Sequence, residues 1–140
     1  MAVRVLIADD SIAARELIRF HIQRLGYEVI AEAHNAAQAV TLFKALRPDV
    51  VTLDVVMPIV DGIDSLTAFR SIRKEAPLVP IIVVSAVPFD KTRDTFIEEG
   101  ALTYIVKPFT KFYFDEVRRK LERVLPQAKP QGLLGRTRRS

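Results

Sequence analysis

Short runs that are apolar at nearly every position alternate along this chain with longer stretches in which apolar residues recur every three or four. Residues 3–8, VRVLIA, form the first run and break into two aspartates, as a buried parallel strand does. From Ser11 to Leu25, Ala14, Leu17, Ile18, Ile22 and Leu25 follow helical spacing; Ser11 suits the N-cap and Gly26 the stop. A second strand is expected over Tyr27–Ala33. Asn35 then caps a helix that presents Ala39, Val40, Phe43 and Leu46, with Pro48 beyond it. Residues 49–53, DVVTL, are a third strand running straight into Asp54, and Val55–Gly62, with Pro58, Asp61 and Gly62, is a loop. Ile63, Leu66, Phe69 and Ile72 mark the third helix, which stops before Pro77. PIIVVSA is a fourth strand ending at Ser85. A helix follows from about Pro88 to Gly100, a strand over Leu102–Val106, and a last helix from Thr110 to Leu125 with Phe114, Val117, Leu121 and Val124 inward.

Five strand–helix units with apolar central strands call for a parallel sheet covered on both faces. Right-handed crossovers leave only a few doubly wound topologies. The expected class is therefore α/β, a doubly wound five-stranded parallel sheet. A length of 140 residues fits one domain, placed at 1–125, followed by a basic, flexible tail at 126–140. No internal repeat is present.

Charge changes little in this picture. Four of the 21 basic residues, Lys129, Arg136, Arg138 and Arg139, lie in the tail, which leaves 17 Lys plus Arg against 17 Asp plus Glu in 1–125. The folded body is neutral, so the basicity does not point to a direct nucleic-acid interface. No apolar stretch is long enough to span a membrane, and the N-terminus lacks the pattern of a signal peptide. With no cysteine, disulfides, thiolate metal sites and thiol catalysis are excluded. A cytoplasmic location is the simplest expectation.

The informative polar residues fall at strand ends. Asp9 and Asp10 end the first strand, Asp54 the third, Ser85 the fourth and Lys107 the fifth. One aspartate after a strand is ordinarily a turn former or a cap. Three carboxylates, a hydroxyl and an ammonium delivered by four strands to the carboxyl edge of an open α/β sheet mark a ligand crevice. Clustered carboxylates raise one another's pKa and disfavour the fold unless a hard divalent cation neutralises them. With no histidine in the set, Mg²⁺ fits better than zinc; His21 and His34 read as packing or surface residues. A carboxylate beside Mg²⁺ can attack phosphorus and become an acyl phosphate. Lys107 and Ser85 then supply the charge and the hydrogen bond that the transferring group needs.

At these residues the chain resembles the receiver domain of two-component response regulators, most closely the single-domain chemotaxis type. The matching segments are VLIADDS at 5–11, LDVVMPIVDG at 53–62, VVSA at 83–86 and YIVKPF at 104–109. The resemblance implies a flavodoxin-like sheet of order 2-1-3-4-5, with Asp54 as phosphoacceptor. It implies Asp10, Asp54 and the Val56 carbonyl as Mg²⁺ ligands, with Asp9 acting through a metal-bound water. Lys107 would bind the phosphoryl group and precede a cis proline at 108, while Ser85 and Tyr104 would form a switch pair. It further implies a sensor histidine kinase or phosphotransfer protein as donor, a downstream protein target with a chemotaxis- or motility-type output, a phosphatase as an optional partner, and a monomer or weak dimer. Its catalysis would be limited to its own phosphorylation and slow dephosphorylation.

Val56 and Val87 stand where relatives often carry polar groups flanking the attacking water, so the acyl phosphate is expected to be long-lived. The output surface implied is helix four, strand five and helix five. Phe112 lies about 200° from Phe114 around its helix, so both cannot face the core; Phe112, Lys91, Lys111 and Tyr104 are the expected contact residues, with Arg93 nearby. An aspartate-nucleophile phosphatase is disfavoured because Asp54-Val55-Val56 lacks a second acid. A flavin carrier is disfavoured because Asp9-Asp10-Ser11 is too acidic for a phosphate loop. A remaining variant is the receiver half of a longer regulator with a separate output domain.

Overall fold

The computed structural model describes residues 2–86 and 91–129. Five strands, β1 (Arg4–Ala8), β2 (Glu28–Ala33), β3 (Val50–Asp54), β4 (Ile81–Ser85) and β5 (Thr103–Val106), pair in the order β2-β1-β3-β4-β5. Every pairing is parallel. The helices are α1 (Ile12–Arg24), α2 (Ala36–Leu46), α3 (Ser65–Glu75), α4 (Lys91–Glu98) and α5 (Lys111–Val124). The doubly wound expectation and its strand order are met.

Alternation along the strands divides the core into two layers. Val5 and Ile7 of β1, with Val50, Ile82, Val84 and Ile105, face Ile18 and Ile22 of α1 and Phe114, Val117 and Leu121 of α5. Leu6 and Ala8, with Val51, Leu53, Ile81 and Val83, face Ala39 and Phe43 of α2, Phe69 and Ile72 of α3 and Phe96 of α4. β3 and β4 are buried at every residue, as strands covered on both faces must be.

The helix starts follow local chemistry. Ser11 accepts from Ala14 N, Asn35 from Gln38 N and Asp64 from Thr67 N, each satisfying an otherwise orphaned donor. Asp64 was not expected as a cap, and Ile63 precedes α3 rather than opening it. Three expected inward residues are exposed: Leu17, Leu46 and Val124. The core stripe of α1 is Arg15, Ile18, His21 and Ile22, about 100° from Leu17. Leu46 and Val124 are the last residues of their helices, where no further turn covers them. After α5, Pro126–Ala128 forms a 3-10 turn, and Ala128 packs into the α1/α5 layer. Val87 and Pro88 lie outside the described residues. Among the described residues no helix is long and apolar enough to cross a membrane.

Candidate functional site

Parallel register sets the site. Ala8 pairs with Leu53, Asp54 with Val84 and Ser85 with Val106, so the residues at or just past these ends reach one level. Lys107 N donates to Ser85 O at 2.8 Å and Val55 N to Val84 O at 2.9 Å, which continues the sheet into the crevice. Asp9 and Asp54 are buried while Asp10 is exposed at the mouth. One carboxylate oxygen from each of the three lies within 4.8 Å of the others.

Lys107 binds this acidic set from the β5 side. Its Nζ lies 3.0 Å from Asp9 Oδ2 and 3.4 Å from Asp54 Oδ2. Its peptide bond to Pro108 is cis, as the resemblance implied. Burial raises Asp54 and the Asp9 charge raises it further; Lys107 and the Val56 N–H, 3.4 Å from Asp54 Oδ1, hold it back, leaving it pushed up to about 6. Burial alone would lower Lys107, but the two aspartates outweigh it and raise its affinity for the proton.

The donor set fits a hard cation. Asp9 Oδ1 accepts from Ser11 N at 2.9 Å. Buried Asp9 Oδ2 makes no well-aligned hydrogen bond, although Lys107 approaches it. An oxygen-only cluster with one such orphaned atom and one member at the mouth suits a metal that keeps some of its waters.

The remaining expected residues divide by burial. Ser85 is buried at the end of β4. Tyr104, 8 % exposed, packs its ring in the α2/α3/α4 layer, so its ring is inside the fold rather than on the surface with Phe112. Val56 is 59 % exposed and Phe112 62 % exposed. Lys91 and Lys111, the first residues of α4 and α5, are exposed, and Arg93 is half-buried beside Asp94. After Asp54 the loop turns through Asp61 (φ 55°) and Gly62 (φ 72°), two successive left-handed residues of which glycine is the one without a steric penalty.

Two supporting side chains were not foreseen. Ser65, buried at the first turn of α3, donates its hydroxyl to Asp54 O at 2.6 Å. Arg15 Nη1 donates to Asp9 O at 2.8 Å. Both sit on the core-facing stripe of their helices, Ser65 four residues before Phe69 and Arg15 three before Ile18. A polar residue on such a stripe is the signal that would have found them.

Comparison with known proteins places this geometry. Residues 5–117 match the family model of the response regulator receiver domain. The chain is 43 % identical over 109 residues to the chemotaxis protein CheY of Thermotoga maritima, covering 78 % of this chain and 88 % of that protein. It is 40 % identical over 131 residues to a protein-glutamate methylesterase/protein-glutamine glutaminase of Alkalilimnicola ehrlichii, covering 89 % of this chain but 33 % of that one. A CheX–CheY–BeF3–Mg²⁺ complex from Borrelia burgdorferi contains a chain that superposes with a TM-score of 0.74 at 28 % identity, covering 86 % of this chain and 87 % of that one.

Proposed function

This chain belongs to the response regulator receiver domain family, and from that premise we propose that it is a phosphoacceptor switch whose Asp54 takes a phosphoryl group from a histidine-phosphate donor. At the coarser level it is a CheY-like receiver, a signalling module. The observation that carries the proposal is the meeting of the Asp9, Asp10 and Asp54 oxygens within 4.8 Å, with the Lys107 ammonium against two of them.

In the transfer, a carboxylate oxygen of Asp54 forms a bond to phosphorus as the bond from phosphorus to the donor's imidazole nitrogen breaks. The released imidazole takes a proton from solvent. Lys107 exchanges its contact with Asp54 for one with a phosphoryl oxygen, and the Ser85 hydroxyl donates to another. Asp10, Asp54, the Val56 carbonyl and, through a water, Asp9 would hold Mg²⁺, which when bound neutralises both the acidic set and the phosphoryl charge. Ser85 moving toward the new group, with the Tyr104 ring held inward behind it, couples the site to α4, β5 and α5. The contact face there is Phe112 with Lys91 and Lys111.

The donor is a sensor histidine kinase or phosphotransfer protein, the reader a downstream protein, and the setting cytoplasmic. The CheX–CheY complex supports a partner of the CheX kind, and the CheY relatives a chemotaxis-type output. The methylesterase relative, about three times the length of the matched region, favours a second reading in which such a receiver serves an attached output domain.

Incubation with Mg²⁺ and acetyl phosphate, followed by intact mass, tests the proposal. One added phosphoryl group in the wild type and none in Asp54→Asn is the expected result. Absence of Mg²⁺-dependent modification of the wild type defeats it.

A further inference from the structure

Arg15 is an unusual residue for the core face of a helix. It is 8 % exposed, and a buried guanidinium is retained only when its donors and its charge are answered. The answers are specific. Nε donates to Glu32 Oε1 at 3.0 Å, and Nη1 donates to the backbone carbonyl of Asp9 at 2.8 Å. Glu32 lies on β2 opposite Ile7 of β1 and is shared with Arg19 through its second oxygen. One side chain from α1 thus ties the residue just past the end of β1 to β2 at the level of the acidic site.

From these contacts we infer that Arg15 is a positioning residue for Asp9, and through Asp9 for the Mg²⁺ site; the inference rests on the reading of that site given above. Apart from its ion pair with Lys107, Asp9 is held at three points. Its N–H donates to Ala33 O at 3.0 Å, its carbonyl accepts from Arg15, and Oδ1 accepts from Ser11 N. With the main chain clamped on both sides and Oδ1 engaged, Oδ2 is the oxygen left to meet Lys107 Nζ, at 3.0 Å, in the acidic site. Removing Arg15 frees the carbonyl and allows the Asp9 peptide to rotate, which moves Oδ2. Losing the positive charge of Arg15 would by itself favour a cation at the three carboxylates, so weaker Mg²⁺ binding in its absence is the signature of lost positioning. Glu32 fixes the fork of the guanidinium, so that Nη1 and not Nε meets the carbonyl.

A purely structural account is a clamp of α1 on the sheet, which would affect stability alone. Mg²⁺ titrations followed by backbone amide NMR separate the two, because the dissociation constant is read on folded protein. Residues that orient a metal ligand typically change affinity about 10–100-fold. Arg15→Met is expected to weaken Mg²⁺ about tenfold, and Arg15→Lys, which keeps the charge but not the fork, about threefold. Arg19→Met, which touches Glu32 but not Asp9, is expected to lower Tm while leaving the Mg²⁺ constant within about twofold. Should Arg15→Met not fold, Glu32→Gln serves, with about threefold weaker Mg²⁺ expected. Wild-type affinity in folded Arg15→Met, or in Glu32→Gln where that variant replaces it, overturns the inference and leaves the metal site standing. Absence of Mg²⁺ binding by the wild type overturns the site itself and the inference with it.

Discussion

The hydroxyl of Ser65 and the carbonyl of Asp54 meet at 2.6 Å, so the first turn of α3 holds the peptide bond that leaves the central carboxylate. That bond fixes the start of the loop carrying Val56. Ser65→Ala leaves a buried carbonyl short of a donor, which costs about 1–2 kcal/mol. Urea unfolding is expected to show that loss. Acetyl phosphate labelling is expected to slow about tenfold, because a displaced Val56 carbonyl alters the metal site. A stability loss with unchanged labelling would assign Ser65 to packing alone.

Asp54 makes stability depend on pH in a defined direction. Its carboxyl is pushed up to about 6 by burial and by Asp9, so the folded protein holds this proton more tightly than the unfolded chain does. The contribution is fully present below the unfolded value near 3.8 and is lost as pH rises through about 6. In EDTA, Asp54→Asn is therefore expected to gain stability over wild type by about 1–3 kcal/mol between pH 4 and pH 7.5. Mg²⁺ is expected to reduce the difference at pH 7.5. Thermal melts at the two pH values, with and without Mg²⁺, check the sign.

Val56 is exposed at the mouth of the site and offers no polar side chain to an attacking water. Val56→Asn is expected to shorten the lifetime of the acyl phosphate about tenfold, since a group that positions or deprotonates water acts on that step. Loss of label after removal of phosphodonor measures it. An unchanged lifetime would place the control elsewhere.

Phe112 projects from the first turn of α5 beside Tyr113, with ring centroids 6.2 Å apart, while Phe114 is buried. Phe112→Ala is expected to abolish binding of the phosphorylated chain to its downstream protein. Its melting temperature should change by less than about 2 °C, because little core surface is lost. Phosphorylation by acetyl phosphate should be unaffected. Intact target binding would remove Phe112 from the contact face.

Much of this molecule was legible in its order of residues. Short apolar runs leading into Asp, Ser or Lys set β1, β3, β4 and β5, and helical spacing with Ser11 and Asn35 caps set the first two crossovers. Period-2 and period-3.6 patterns are local, so they survive without knowledge of the partner surface. The convergence of Asp9, Asp10, Asp54 and Lys107 followed from strand ends sharing one edge. Helical spacing misled at three positions: Leu17 lies off the core stripe of α1, and Leu46 and Val124 are the exposed last residues of α2 and α5.

What tertiary structure alone decided is which polar groups back the site. Ser65 and Arg15 are separated from their partners by 11 and 6 positions, and each pairs through a backbone carbonyl that carries no residue identity. The inward place of the Tyr104 ring is set by its packing in the α2/α3/α4 layer. The sequence by itself therefore determined the sheet and the acidic set at its carboxyl edge. Packing decided how tightly Asp54 is enclosed, and with it the raised proton affinity that an open strand end would not have.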